Sequence, residues 1–387
     1  MRPTFLEVNL SQLKQNLEAI RAHVAPAKVL AVVKANAYGH GVDGVAPFLA
    51  PYVDYLGVAL VEEGIHLREL GIDKSILVMG GTLAAQLPEF LEYDLTLTAS
   101  SLDLLLAAEQ LAASTRKRIR AHLKIDTGME RVGVRDTEAD AFIAKSLACS
   151  HLEIEGIYTH LANSEALSLR GTKQSPNDEG IASGKERPRN DIVDARQQLE
   201  RFQGVLAFYE KRSVPLPPIR HVCNSGGILQ LSEGYMDMVR PGILLYGVYP
   251  GADTPRTVEV KPALTWRSQI VYSKITPPGR PISYGSLWQA EASIRIVTVP
   301  CGYADGYFRR MTNQARVIIH GKKYPQVGRI CMDQFMVDLG EDEAQVGDEV
   351  ILLGAGITAD DLAEWAGTNN YEPLTNISAR VPRVYVE

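Results

Sequence analysis

Residues 29–41, VLAVVKANAYGHG, join a β-branched apolar run to a lysine and a glycine-containing turn. A short run of consecutive apolar residues is typical of a strand that is covered on both faces, as in a parallel sheet. Lys34 follows the last apolar residue of this run directly. The stretch therefore predicts a buried parallel strand with a lysine at its carboxyl end.

The same unit, an apolar run followed by a break and a helix-like segment, recurs over the first two thirds of the chain. The eight runs are VLAVV (29–33), YLGVAL (55–60), SILVM (75–79), LTLTA (95–99), IRAHLKI (119–125), IEGIYTH (154–160), IRHVC (219–223) and MDMVR (236–240). Eight parallel strands with intervening helices over roughly 250 residues are typical of a (β/α)8 TIM-type barrel. An open, doubly wound α/β sheet shows the same alternation, but the number of runs favours the barrel.

The pattern changes near residue 250, where Pro and Gly begin to separate strand-like runs. These runs cover 268–275, 293–299, 315–321, 335–339 and 349–354. One helix is predicted at 360–366, with Thr358 as its N-cap. We therefore expect a barrel over 1–255 and a mostly β C-terminal domain over 256–387.

Two smaller features belong to the predicted barrel. FLEVNL (5–10) reads as an opening strand, and Ser11 as the N-cap of the helix after it. Segment 165–193 is rich in Gly, Ser, Pro and charged residues and shows no period, so it is predicted to be a solvated loop insertion.

Composition excludes several classes of protein. The 387 residues carry a formal net charge of −6 and are 45% hydrophobic, which argues against a nucleic-acid binder and against general disorder. No apolar run approaches the ~20 residues that span a bilayer, and Met1–Leu10 does not resemble a signal peptide. The cysteines (Cys149, Cys223, Cys301 and Cys331) are far apart, so neither disulfides nor a metal site is expected. We expect a cytoplasmic protein.

Polar residues stand at the end of five of the eight runs or directly after it. They are Lys34, Lys124 with Arg131 beyond it, His160, Asn224 with Ser225, and Arg240. Each alone would more often be a surface residue or a cap, but barrel active sites form where the carboxyl ends of the strands meet. The loops NSGG (224–227) and PGI (241–243) follow the last two runs, where barrels often bind phosphate through backbone N–H groups. A phosphate site together with a strand-end lysine suggests pyridoxal phosphate held as a Schiff base.

Nine motifs in order carry a resemblance to a known family. They are AVVKANAYGHG (31–41), KIDTGMERVG (124–133), YTHLANSE (158–165), NSGG (224–227), MVRPGILLYG (238–247), ISYGS (282–286), CGYADGY (301–307), GRICMDQFMVD (328–338) and NYEPL…ISARVPRVY (370–385). With these motifs the chain resembles the alanine racemases, which are fold-type III pyridoxal-phosphate enzymes. The resemblance covers both predicted domains. It implies a barrel followed by a β domain, a homodimer, and interconversion of L- and D-alanine for cell-wall peptidoglycan.

The resemblance also implies roles for individual residues. Lys34 would carry the cofactor as a Schiff base, and Arg240 would face its pyridine nitrogen. The other residues implied to bind the cofactor, most of them at its phosphate, are Tyr38, His160, Asn224, Ser225, Gly242, Ile243 and Tyr371. Arg131 and the backbone of Met332 would engage the substrate carboxylate and the cofactor phenolate.

Racemisation removes a proton from one face of the α-carbon and returns one to the other face, so it needs one base on each side. The resemblance gives these roles to Lys34 and to Tyr284, which would reach into the barrel of the partner subunit, with His160 between Tyr284 and Arg240. Tyr303 and Tyr371 would narrow the pocket to a small side chain. Lys124 corresponds to a lysine that is carbamylated in some relatives.

Three alternatives stay open at this level. The first is a serine or broad-specificity racemase, because apolar pockets reject an added hydroxyl by only about 10². The second is a barrel-type amino-acid decarboxylase, whose C-terminal domain has a cysteine similar to Cys331. Arg240 argues against it, since an arginine cannot readily accept a proton and leaves the pyridine nitrogen a weaker electron sink. The third is a non-catalytic pyridoxal-phosphate protein, which would lack the β domain.

Overall fold

Eight parallel strands form a nearly closed barrel in the computed structural model, which describes residues 2–164 and 194–387. The first ten strands of the chain are β1 (Phe5–Asn9), β2 (Lys28–Val32), β3 (Tyr55–Val58), β4 (Ile76–Val78), β5 (Thr96–Ala99), β6 (Ile119–Asp126), β7 (Val134–Arg135), β8 (Leu152–Tyr158), β9 (Ile219–His221) and β10 (Met238–Val239). Hydrogen-bonded neighbours follow the order β10-β2-β3-β4-β5-β6-β8-β9, and a hydrogen bond from Arg240 N–H to the Cys223 carbonyl (2.9 Å) links the ends of this series. Each of the eight predicted runs overlaps one of the eight barrel strands, so the barrel is confirmed. The predicted insertion at 165–193 lies outside the described residues.

Helices cover the outside of the barrel. They are α1 (Leu10–Val24), α2 (Lys34–Tyr38), α3 (Val42–Leu49), α4 (Val61–Glu69), α5 (Leu87–Glu92), α6 (Leu102–Thr115), α7 (Ala139–Ser146), α8 (Ala195–Lys211) and α9 (Ser225–Gln230). The predicted cap of α1 is wrong. Asn9, not Ser11, is the N-cap, because its backbone is still extended and its side chain accepts the Gln12 N–H at 2.7 Å.

The remaining strands form a second, mostly antiparallel unit. They are β11 (Leu264–Gln269), β12 (Tyr272–Thr276), β13 (Pro281–Ile282), β14 (Trp288–Gln289), β15 (Ile294–Val299), β16 (Arg316–Ile319), β17 (Lys322–Val327), β18 (Phe335–Gly340), β19 (Glu349–Leu353) and β20 (Arg383–Val386), with helices α10 (Ala359–Ala366) and α11 (Tyr371–Thr375). Thr358 caps α10 as predicted. The single run expected at 268–275 spans parts of two strands, β11 and β12. The runs expected above do not include β17, which is largely polar, or β20.

Strand β1 belongs to this second unit rather than to the barrel. It lies between β11 and β20 in a nine-stranded sheet with the order β12-β15-β18-β17-β16-β19-β11-β1-β20. Its side chains alternate, with Leu6 and Val8 fully buried, whereas the strands around Lys34 are buried on both faces. The predicted barrel range 1–255 therefore includes one strand of the other sheet, and the division at 255/256 stays a prediction.

Candidate active site

Two adjoining cavities lie at the carboxyl ends of the barrel strands. The first, about 290 Å³, includes Lys124 and Tyr158, and we call it the Lys124 cavity. The second, about 280 Å³, includes Tyr38 and Ser225, and we call it the Ser225 cavity. Both are lined by Lys34, Met79, Arg131, His160 and Arg240. The sequence predicted four of these five shared residues. It gave no signal for Met79.

Lys34 stands where β2 ends and α2 begins. Its amine is partly buried, and this burial, with a smaller effect of the Arg131 charge, lowers its pKa below the ordinary lysine value. The four residues after it, 35–38, have φ between +52° and +54°, so this turn is left-handed. Glu63 holds the turn by accepting the Ala35 N–H at 2.7 Å. The turn therefore fixes the direction in which the chain leaves Lys34.

Hydroxyl and backbone groups converge in the Ser225 cavity. Ser225 Oγ accepts the N–H groups of Gly242 (2.9 Å) and Leu244 (3.3 Å), which leaves its own O–H to donate. A Cβ atom at Gly242 would collide with the Tyr38 hydroxyl, so only glycine permits this close approach. Asn224 caps α9 through Gly227 N–H at 3.0 Å, and Tyr371 completes the wall. This arrangement suits an anion, because it offers donors without a buried carboxylate.

Arg240 is a buried cation at the junction of the two cavities. Its Nη1 donates to His221 Nδ1 (2.8 Å), and its Nη2 donates to the carbonyls of Thr159 and Val222 (both 2.8 Å). His160 Nδ1 lies 3.4 Å from the same Nη2. Burial lowers the pKa of Arg240 to about 10, so the guanidinium stays charged at neutral pH.

Two histidines that the sequence analysis missed support Arg240 from inside the barrel. His221 Nε2 lies 2.8 Å from His122 Nδ1, and both rings are fully buried. Arginine only donates, so His221 must accept at Nδ1 and carry its proton on Nε2, which then points at His122. Burial, followed by the Arg240 charge, lowers the pKa of both imidazoles and keeps them neutral. The sequence feature that could have indicated these two residues is a histidine in the middle of an apolar run, as in IRAHLKI and IRHVC.

Strand β6 and the loop after it place two basic side chains, Lys124 and Arg131, at the Lys124 cavity. Burial is the main cause that lowers the pKa of Lys124 to about 7, and its Nζ donates to the Ile125 carbonyl at 2.8 Å. Asp126 accepts the N–H groups of Gly128 (2.8 Å) and Met129 (2.9 Å), and so shapes the loop that leads to Arg131. The sequence predicted Lys124 and Arg131 here but not Tyr158, which lies two residues before His160.

Three predicted site residues line neither cavity. Tyr284, Met332 and Tyr303 are exposed by 71%, 52% and 41%. They belong to neighbouring segments, because Tyr303 N–H donates to the Cys331 carbonyl (3.0 Å) and Ser283 Oγ donates to the Arg329 carbonyl (2.7 Å). One chain therefore assembles the Lys34 side of the site and presents these three side chains at another surface.

Residues 2–164 and 194–387 contain neither a metal site nor a membrane-spanning helix. Within these ranges no group of three His, Cys, Asp or Glu side chains could hold a metal ion. No helix in the same ranges is long and apolar enough to cross a membrane. The four cysteines are free.

Comparison with known proteins gives a consistent result over the full chain. Family models described as alanine racemase, N-terminal domain, and alanine racemase, C-terminal domain, match residues 8–250 and 263–385. Alanine racemases of Carboxydothermus hydrogenoformans and Halothermothrix orenii are each 40% identical to it, with 100% and 99% of this chain and 100% and 97% of theirs covered.

Solved structures agree. An alanine racemase of Clostridium difficile 630 superimposes with a TM-score of 0.90 at 36% identity, covering 100% of this chain and 96% of that one. One from Streptomyces coelicolor A3(2) gives 0.87 at 31% identity, covering 100% and 98%. With the barrel, the β-rich unit and the strand-end cavities in place, the chain is an enzyme of the alanine racemase family.

Proposed function

We propose that the protein interconverts L- and D-alanine with pyridoxal phosphate, by proton transfer between two bases, and acts as a homodimer. The observation that carries this proposal is the junction at which Lys34, a lysine with a lowered pKa, shares both cavities with the buried Arg240. We further propose, on the family's likeness, that the D-alanine is made in the cytoplasm and serves cell-wall peptidoglycan.

The residues present fit pyridoxal phosphate. The hydroxyls of Tyr38 and Ser225 offer donors for the phosphate, next to Gly242, where a Cβ would close the space between them. Asn224, Ile243 and Tyr371 line the same cavity. Lys34 would hold the aldehyde carbon, and Arg240 and His160 would lie along the ring. When bound, this cofactor supplies an electron sink that acidifies the α-C–H bond of an amino acid.

Lys34 acts as the base on one face of the substrate. Its lowered pKa leaves more of the amine unprotonated near neutral pH, so that it can accept the α-proton. Arg240 donates and does not accept, because a guanidinium has no acceptor atom, and His221 and two carbonyls hold it in place. It therefore keeps a neighbouring ring nitrogen unprotonated. This restrains charge delocalisation and favours return of the proton over side reactions.

The second base is Tyr284 of the other subunit. In one chain the Tyr284 side chain is 71% exposed. Tyr284, Met332 and Tyr303 line neither the Lys124 cavity nor the Ser225 cavity. A homodimer explains both facts if this surface covers the partner's barrel mouth. Arg131 and the Met332 backbone would then bind the substrate carboxylate, and Tyr303 and Tyr371 would limit the side chain to a small one.

Lys124 is proposed to be carbamylated. Its pKa of about 7 supplies a neutral amine, which can add carbon dioxide and release one proton. The charges of Arg131 and Arg240 act on the same amine and would stabilise the resulting anion. Carbon-13 NMR with labelled bicarbonate should show a carbamate signal that is missing in Lys124→Arg.

The proposal is tested with L-alanine and the cofactor-loaded protein in D2O. We expect the optical rotation to fall to zero while deuterium enters the α-position. Lys34→Ala, the matched control, should do neither. Loss of the carboxyl group as carbon dioxide would indicate a decarboxylase, and no change at all would indicate a non-catalytic binder. A parallel assay with L-serine decides between a narrow and a broad racemase.

A second experiment separates the two bases. Tyr284→Phe removes the acid/base group from one face only, so proton abstraction should slow much more for one enantiomer than for the other. The measurement is the primary deuterium isotope effect and the rate of α-proton loss from each enantiomer. Equal slowing in both directions would contradict the assignment of Tyr284.

A further inference from the structure

A third cavity, of about 310 Å³, lies between the barrel and the β-rich unit. Its wall includes His40 and Tyr246 from the barrel side and Leu264, Leu353, Ile357 and Leu374 from the other side. None of its lining residues also lines the Lys124 or Ser225 cavity. It is therefore separate from the site described above, and we call it the His40 cavity.

The lining of the His40 cavity is uncharged and mostly apolar, with Tyr246, Thr265 and Thr358 as its hydroxyl-bearing side chains. None of the described residues around it is an Asp, Glu, Lys or Arg. The polar backbone of its rim is largely paired, because Gly354 and Ile357 exchange two hydrogen bonds (2.7 and 3.1 Å). Tyr246 directs its hydroxyl to the Val32 carbonyl at 2.9 Å. Such a space disfavours an ion, since burying an uncompensated charge is costly.

His40 contributes to this lining a buried ring nitrogen that has no hydrogen-bond partner among the described residues. The ring is 1% exposed, and its Nδ1 lies 3.0 Å from the Tyr38 carbonyl. A carbonyl only accepts, so Nδ1 carries the proton and Nε2 is left as an acceptor. Nε2 is buried and has no hydrogen-bond partner in the protein. Burial lowers the pKa of His40 to about 4, so the ring stays neutral and keeps this acceptor at physiological pH.

We propose that the His40 cavity is a binding site for a small, neutral, largely apolar molecule that carries one hydroxyl group, which donates to His40 Nε2. Pockets of this kind combine an apolar wall with a few placed polar groups. A cavity of about 150 Å³ takes benzene, so this one suits a molecule of about ten non-hydrogen atoms. A carboxylate would be repelled by the lone pair of Nε2, because both groups only accept hydrogen bonds. An alkane would leave Nε2 without a hydrogen-bond donor.

Phenol and toluene test the site, because they have the same size and differ in one donor. Calorimetry on the cofactor-loaded protein should show that phenol binds. A crystal soaked with phenol should place its hydroxyl within hydrogen-bond distance of Nε2. In His40→Leu, which keeps the apolar wall but removes the acceptor, the ratio of phenol to toluene affinity should fall about tenfold, or about 1.4 kcal/mol.

Two variants at Leu353 separate cavity volume from His40 itself. Leu353→Phe fills the space and should abolish binding of both probes, whereas Leu353→Met conserves volume and should retain both. If His40→Leu does not fold, the nitrogen-15 shift of His40 Nε2 in the native chain takes its place, and it should respond to phenol but not to toluene.

Water alone in the soaked cavity, an unchanged affinity ratio in His40→Leu, or an unresponsive Nε2 would overturn the proposal. These results leave racemisation untouched, so they are distinct from a failure of the proposed function.

Discussion

Arg240 is a buried cation that donates to several hydrogen-bond acceptors at once. Its guanidinium is buried and serves three acceptors on two sides, one imidazole nitrogen and two carbonyls. A planar fork of five donors meets this requirement, whereas a lysine offers one compact ammonium. For satisfying these three acceptors, the planar shape of the guanidinium therefore matters more than its positive charge.

We expect Arg240→Lys to lower the free energy of unfolding by about 3 kcal/mol, because about three buried acceptors would lose their donors at about 1 kcal/mol each. Urea denaturation measures this. Arg135→Lys is the control, since Arg135 makes an exposed ion pair with Glu130, and it should leave the free energy of unfolding almost unchanged. Similar losses in both variants would contradict the importance of the fork.

The sequence located single residues well where they end a strand. Lys34, His160 and Arg240 were predicted at the barrel mouth, because polar groups stand out directly after apolar runs. His122 and His221 lie within such runs, and they meet across β8, the strand that separates β6 from β9 in the sheet. Their meeting is a tertiary property that no local pattern contains.

Among the elements, α2 is the least expected. Residues 35–38 adopt a left-handed turn, which costs L-amino acids roughly 1–2 kcal/mol per residue. In the sequence ANAY only Asn36 tolerates positive φ readily, since neither alanine nor tyrosine favours it. Contacts from elsewhere hold the turn, namely Glu63 on Ala35 N–H and the close packing of Gly39 on the Leu374 carbonyl. Strain of this kind is often found at functional sites, and here it follows Lys34, the proposed catalytic base.

Ala35→Gly should raise the free energy of unfolding by about 1 kcal/mol, because glycine adopts positive φ without a Cβ clash. The same change in the right-handed helix α6, Ala107→Gly, should lower it by about 1 kcal/mol. Thermal and urea denaturation of the two variants measure whether the free energy of unfolding rises or falls in each. If both variants lose stability, the turn at 35–38 is not strained in solution.

At the scale of the whole molecule, Asp305 joins segments that are far apart in the chain. Its buried carboxylate pairs with Arg2 Nη1 (2.7 Å) and Arg380 Nε (2.6 Å), and it accepts Gly302 N–H at 2.9 Å. Burial alone would raise the pKa of Asp305, but the hydrogen bonds from Arg2 and Arg380 lower it below 3.8 overall. The unfolded chain therefore takes up this proton at a higher pH than the folded one does.

This difference predicts a pH dependence with a definite sign. Asp305 contributes stability above about pH 4 and loses it as the pH falls through the lowered pKa of the folded state. Asp305→Asn should cost about 2 kcal/mol at pH 7, and the gap from the native chain should narrow in more acidic solution. Asp43→Asn is the control, because Asp43 pairs with His66 at the surface. A gap that does not change with pH would contradict this assignment.

The large-scale architecture was predictable in one half and less so in the other. Continuous apolar runs identify barrel strands, because burial on both faces leaves little room for polar residues. The second sheet alternates, and its order mixes the first strand of the chain with the last, which no count of runs reveals. The cavities around Lys34 follow from the predicted barrel, whereas the proposed contribution of Tyr284 requires a second chain.

Strand β1 has a consequence for synthesis. It is translated first, but its neighbours in the sheet, β11 and β20, follow only after the entire barrel. β20 joins the sheet through β1, so this half of the protein cannot be completed before the last strand leaves the ribosome. Until then the apolar side chains of Leu6 and Val8 have no permanent cover and are a target for chaperones or for premature pairing. Expressing 1–255 and 256–387 as separate chains would leave β1 on the first chain and its two neighbours, β11 and β20, on the second.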